Sequence, residues 1–193
     1  MVSPDAGQDA AIDGRMAIAE VNDLDRESFI SRFGRVYEDS PWIAAAAWPE
    51  RPFASRDDLE RTLAGVVGAA TADQQLALIR SHPDLVGRAA LSGSLGPAST
   101  AEQTAAGLDR DVLTGPEIAA FADLNQRYWQ RFDFPFVICA RENQKAAILA
   151  GFQRRLGHAR DHELATALRE IAKIAHYRLR DMIRDERDAG QER

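Results

Sequence analysis

The sequence predicts an all-α protein, a single compact domain of roughly eight helices. Apolar residues recur at three- and four-residue spacing through most of the chain, and helix-start signatures punctuate it at intervals. The β-rich stretch from Phe132 to Ile138 contains Pro135, which cannot donate to a sheet ladder, so it reads as an extended connection. With 193 residues and 45% apolar content, the chain can close one sizeable core.

Residues 1–15 are poor in large apolar side chains and rich in Ala, Asp and Gly, which predicts a disordered extension and leaves Met16 as a possible natural start. The domain is expected over 16–184. From Asp25, the residues Phe29, Ile30, Phe33, Val36 and Tyr37 keep helical spacing, and Ser40-Pro41 restarts the chain as an N-cap followed by Pro. A short helix with Trp42, Ile43 and an alanine run ends at Arg51-Pro52-Phe53. Ser55 or Arg56 opens the next, carrying Leu59, Leu63, Val66 and Val67, and Thr71-Ala72-Asp73-Gln74 is a capping box for a segment with Leu76 and Ile79. That segment stops at His82-Pro83.

Ser92-Gly93-Ser94-Leu95-Gly96-Pro97 is a loop by its Gly and Pro density, leading into Ser99-x-x-Glu102, a capping-box pattern expected to open a helix. Thr114-Gly115-Pro116-Glu117 opens another, with Ile118, Phe121, Ala122, Leu124, Tyr128 and Trp129 on its apolar stripe. Beyond the connection, a helix from about Asn143 to Gly157 carries Ile148, Leu149, Phe152 and Leu156. The last helix, from Asp161, carries Leu164, Leu168, Ile171, Ile174, Ala175, Leu179, Met182 and Ile183, and residues 185–193 form a charged tail.

A formal net charge of −6 offers no electrostatic footprint for DNA or an anionic membrane, so neither is expected as a partner. The single cysteine, Cys139, cannot form an internal disulfide. No run approaches the roughly 18 apolar residues of a membrane span, and Asp5, Asp9 and Asp13 interrupt the start where a targeting segment would be apolar. A cytoplasmic location is the expectation, and the closing Gln191-Glu192-Arg193 differs from a Ser-Lys-Leu peroxisomal signal.

Three segments carry the chemistry. His82-Pro83-Asp84-Leu85 sets an imidazole at a Pro-made helix break, Ser99 to Gln103 adds a carboxylate and an amide, and Phe134 to Arg141 is an apolar wall ending in a guanidinium. Together they suit a small, flat, anionic, nitrogen-rich substrate. Each also has a plainer reading. A histidine before Pro often binds a backbone carbonyl at a helix end, Ser99-x-x-Glu102 caps a helix by local physics, and part of Phe134 to Ala140 is core. A charge such as Arg141 after so apolar a run must pair, reach solvent or meet a ligand.

These residues, in order and spacing, resemble the decarboxylases that act on 2-oxo-4-hydroxy-4-carboxy-5-ureidoimidazoline (OHCU) in urate breakdown. The likeness runs from about Met16 to Arg184. It is carried by Ser40 to Trp48, Arg51-Pro52-Phe53, His82 to Leu85, Ser99-x-x-Glu102-Gln103, Gly107-Leu108, Phe134 to Arg141, Arg154-Arg155-Leu156 and Lys173-Ile174-Ala175. Val86-Gly87-Arg88 and the Gly-rich loop after it depart from the family pattern. The resemblance implies a cofactor-free and metal-free carboxy-lyase giving (S)-allantoin, with a small-molecule ureidoimidazoline substrate and a homodimeric assembly. It implies His82, Glu102 and Arg141 as catalytic, with Pro83, Ser99, Glu102, Gln103, Phe136, Val137, Ile138, Cys139, Ala140 and Arg141 on the substrate. A relative acting on another ureide or imidazolone stays open. So does a small-anion-binding all-α regulator, although no basic helix-turn-helix stripe supports it.

Other candidates read as structural. His158 and His162 have the spacing of a metal pair, but Gly157 and Asp161 mark a helix end and a new start, so the rings need not share a face. Cys139 between apolar neighbours reads as an inert thiol, His176 as a packed or interface residue, and Trp42 and Trp48 as core.

Overall fold

The structure, a computed structural model, describes residues 14–184. Of the expected extension and tail, residues 1–13 and 185–193 lie outside this range. Among the described residues there are ten α-helices, eight of them of seven or more residues, and no strand. The sequence did not signal the first helix, α1 (Ile18–Asp23). α2 (Arg26–Phe33) starts where Asp25 accepts the Ser28 N–H at 2.7 Å. It stops four residues short of Tyr37. A Cβ on Gly34 would lie 2.5 Å from the Ile30 carbonyl oxygen and 3.1 Å from the Pro41 Cβ, so the chain can reverse tightly here only with glycine. Val36 and Tyr37 are buried in this reversal, not on a helix, and Glu38 follows at φ 49°.

α3 (Pro41–Ala47) packs against α2 and against α4 (Arg56–Ala69), which Ser55 caps through the Asp58 N–H. α5 (Ala72–Arg80) begins in the expected reciprocal Thr71–Gln74 capping box. A single turn, α6 (Arg88–Leu91), precedes α7 (Pro97–Ala105). The sequence reading of Ser99 as the opening of this helix is corrected. Pro97 already holds the helical φ at the first position, so the N-cap is Gly96 and Ser99 lies inside the first turn. Glu102 consequently caps nothing and is free to turn inward.

α8 (Gly115–Phe132) starts in the Thr114–Glu117 capping box and ends at Asp133 in the left-handed region. The segment from Phe134 to Cys139 is extended and unpaired, as expected. α9 (Lys145–Arg155) and α10 (Arg160–Met182) complete the fold. Tyr128, Phe132, Phe134, Phe136 and Phe152 form one aromatic cluster where α8, the connection and α9 meet. Phe29, Phe33, Trp48 and Phe53 form a second under α3 and α4. The two ends of the described chain are tied together. Met16 donates to the Met182 carbonyl at 2.9 Å and accepts from the Arg184 N–H at 2.9 Å.

Candidate active site

α5 runs out at Arg80, and His82 turns back so that its Nδ1 donates to the Leu78 carbonyl at 2.9 Å. A carbonyl can only accept, so Nδ1 carries the hydrogen and Nε2 keeps its lone pair. The plain reading of His82 as a helix-end residue therefore holds, and it sets the tautomer that chemistry would use. Nε2 is buried with no hydrogen-bond partner among the described residues. Burial lowers the His82 pKa to about 4, against smaller upward pulls from Glu38 and the Leu78 bond. At neutral pH the ring is uncharged, a base with an open acceptor.

The turn after His82 is pinned from α8. Trp129 Nε1 donates to Asp84 at 2.9 Å, and Asn125, one turn earlier, donates to the Leu85 carbonyl at 2.9 Å. Burial raises the Asp84 pKa, partly offset by the Trp129 bond. Val86 sits at φ 52°, strained for a β-branched residue, and its N–H donates to Gln103 Oε1 at 3.0 Å. That bond fixes the Gln103 amide, leaving its NH2 as the donor that remains. A Cβ on Gly87 would come within 2.6 Å of the Asp84 Cβ, so the departure from the family pattern at 86–88 still folds around a glycine.

α7 supplies the second wall. Ser99, Glu102 and Gln103 lie three and four residues apart, hence on one face. Glu102 takes a fork from Arg178 of α10, Nε to Oε1 at 2.8 Å and Nη2 to Oε2 at 2.9 Å. Arg178 Nη2 also reaches Glu38 Oε1 at 2.6 Å, its Nη1 meets the Arg35 and Val36 carbonyls, and Ser99 donates to the same Glu38 oxygen at 2.9 Å. Burial works against the Arg178 charge, but Glu102 and then Glu38 more than offset it and raise its pKa. Burial likewise opposes the Glu38 charge, and Arg178, His82 and the Ser99 bond together outweigh it and hold that carboxyl below the usual range. The cluster holds two carboxylates and one guanidinium.

The third wall is the extended segment with Ile174 of α10 behind it. The walls meet around a narrow cleft. Lining it are His82, Pro83, Ser99, Glu102, Gln103, Phe136, Val137, Ile138 and Ala140, all singled out from the sequence, with Glu38, Leu85 and Ile174. Two expected residues stand elsewhere. Cys139 is turned into the core, its N–H given to Glu170 at 2.9 Å and its thiol pushed up to about 11 by burial, so it reads as inert. Arg141, in a 3-10 turn, is forked onto Asp181 of α10 and lies outside the lining. The guanidinium facing the cleft carboxylates is that of Arg178.

The His158 and His162 rings do share a face, stacked at 4.4 Å. The helix start between them does not separate the side chains. Among the described residues no group of three or more His, Cys, Asp or Glu is arranged to hold a metal ion. His176 pairs with Glu60, and Trp42 and Trp48 pack against the core.

The family model for OHCU decarboxylase matches residues 22–180. The chain belongs to the OHCU decarboxylase family. It is 42% identical to the 2-oxo-4-hydroxy-4-carboxy-5-ureidoimidazoline decarboxylase of Amia calva, over 87% of this chain and 95% of that one. It is 39% identical to the protein of the same name in Haloferax volcanii, over 89% of this chain and 98% of that one. Among solved structures, a crystal structure of (S)-allantoin synthase superposes with a TM-score of 0.69 at 25% identity. That match covers 87% of this chain and 54% of the other, so the chain spans about half its length.

Sequence reasoning missed Glu38 and Arg178. Arg178 carried a signal: it falls four residues after Ile174, on the stripe of Ile171, Ala175 and Leu179, where a charge must find a buried partner. Glu38 carried none, because the helical spacing through Tyr37 gave no sign that the chain leaves the helix at Gly34.

The His82 environment sets a pH dependence. A histidine whose folded pKa is depressed stabilises the fold fully above its unfolded value near 6.5, and that contribution falls away as pH drops toward about 4. Activity that needs the neutral ring should accordingly hold through pH 6 and fail near 4. A kcat/KM profile taken with circular dichroism at each pH checks this, and an acid limb near 6.5 in folded protein would sink it.

Proposed function

We propose that this chain decarboxylates OHCU to (S)-allantoin, a step of urate degradation and purine catabolism. The reading is supported most by the bare, uncharged Nε2 of His82 at a cleft shared with Glu102 and Gln103. The substrate carries a C=N bond beside the carbon that loses CO2. The C–C bond to the carboxylate breaks, its electron pair moves toward that C=N, and the ring nitrogen gains a proton from solvent. His82 Nε2 takes the proton of the adjacent hydroxyl, which becomes the carbonyl, and the same ring returns a proton to the neighbouring carbon. Depressed basicity suits this ring to giving the proton back. The Gln103 amide supplies a donor for the developing negative charge, and Arg178 holds the Glu102 carboxylate beside it, already oriented before substrate arrives.

The test is direct. Freshly generated OHCU should lose its ultraviolet absorbance faster with the purified protein than without it, in the presence of a chelator. Equal rates would end the proposal. A cytoplasmic homodimer belongs to the same proposal on family resemblance; sedimentation would read the assembly. No helix among the described residues is long and apolar enough to cross a membrane.

Glu102→Gln keeps the shape but gives Arg178 an amide in place of a charged fork. Bonds to charged groups contribute about 1.5–3 kcal/mol, so turnover should fall roughly ten- to a hundredfold while the helical spectrum persists. Unchanged kinetics would remove Glu102 from the reaction. For Arg141 the proposal is a role at the rim, through charge and not direct orientation. Arg141→Lys should then raise KM by no more than about threefold and leave the optical purity of the product intact, since a partly exposed pair contributes about 0–1 kcal/mol. Lost optical purity would restore Arg141 as an orienting group.

A further inference from the structure

Behind the extended wall lies a buried ion pair that the reaction scheme above does not use. Glu163 of α10 is fully buried and bonded by Arg155 of α9, whose Nε lies 2.7 Å from Oε1, and the Tyr128 hydroxyl shares the same oxygen. Arg155 also reaches the wall itself: Nη1 donates to the Val137 carbonyl at 2.8 Å, and the guanidinium lies 4.3 Å over the Phe136 ring. Replacing a buried ion pair of this kind by uncharged side chains is often neutral for stability. What the pair does supply is direction. The Val137–Ile138 peptide is trans, so its carbonyl and N–H point opposite ways. With the carbonyl drawn toward Arg155, the Ile138 N–H is turned away from it, and no hydrogen bond to another described residue takes that N–H.

We propose that Arg155, held by Glu163, is a positioning residue that aims the Ile138 N–H into the cleft as a hydrogen-bond donor for the substrate ring. The inference rests on the decarboxylase reading for the identity of that ring. Val137 and Ile138 both line the cleft that His82, Glu102 and Gln103 also line. A fixed donor there would set which face of the ring meets His82.

The test removes the pair while keeping an acceptor for Tyr128. Arg155→Met with Glu163→Gln should leave the melting temperature within a few degrees of wild type. It should weaken (S)-allantoin binding about three- to tenfold by calorimetry, as one lost hydrogen bond would, and lower the enantiomeric excess of the product. A folded double variant with wild-type binding and optical purity overturns the proposal. If that variant does not fold, the wild-type protein decides. With isoleucine labelled in its amide nitrogen, added (S)-allantoin should move the Ile138 amide proton further than those of isoleucines distant from the cleft, and a stationary Ile138 signal overturns the proposal. Wild-type protein that fails to turn over OHCU is a different result, against the functional reading itself.

Discussion

His82→Ala should fold with a helical spectrum near that of wild type and lose most of its decarboxylase activity, about 10²–10⁴-fold in kcat. The fold should survive because the ring makes one bond to the described residues, to the Leu78 carbonyl, and that carbonyl also accepts from the Ser81 hydroxyl at 2.8 Å. The turn it leaves behind is held independently by Trp129 on Asp84 and Asn125 on Leu85. Activity should not survive, because Nε2 is the uncharged base at the cleft and nothing else lining it offers a neutral lone pair with its other nitrogen already committed. His82→Gln, which preserves the bond to Leu78 without a titrating ring, should be equally inactive. Stopped-flow decay of OHCU beside thermal melts reads both variants, and a folded, fully active His82→Ala protein would remove this histidine from the mechanism.

Replacement of Arg178 should damage stability and catalysis together. Arg178→Ala leaves Glu102 and Glu38 facing one another in the interior without a counter-charge, a defect that costs about 3–5 kcal/mol in comparable buried pairs. For a domain of this size that is roughly 6–20 °C in melting temperature. Arg178→Lys keeps the charge, but a point ammonium cannot serve the Glu102 fork, Glu38 and two backbone carbonyls at once. It should fold with a smaller loss of stability and show kcat/KM reduced by about tenfold to a hundredfold. Wild-type stability and kinetics in Arg178→Lys would show that the guanidinium serves neither purpose.

Much of this was legible in the chain because several of its signals are local. The Thr71 and Thr114 capping boxes, the Pro83 break and the Pro135 connection depend on near neighbours, and the structure has them where the sequence put them. Ser99-x-x-Glu102 shows how a local signal fails. The pattern was valid, but Gly96-Pro97 offered an earlier start, and a helix takes one N-cap. What remained hidden was long-range. Arg178 meets Glu102 across 76 residues and Glu38 across 140, and nothing local to Glu38 says that a buried cation waits for it. Arg141 was singled out over Arg178 because it follows an apolar run, whereas Asp181, its partner, lies 40 residues on.

The most direct test of the account is the optical activity of the product formed from fresh OHCU, followed in time with wild-type protein beside His82→Ala. Wild type should give (S)-allantoin in large enantiomeric excess at a rate proportional to enzyme, since the proton is delivered by one ring held on one side of the substrate. His82→Ala should give slow, racemic product. Racemic allantoin appearing at the uncatalysed rate in the wild-type reaction would contradict it.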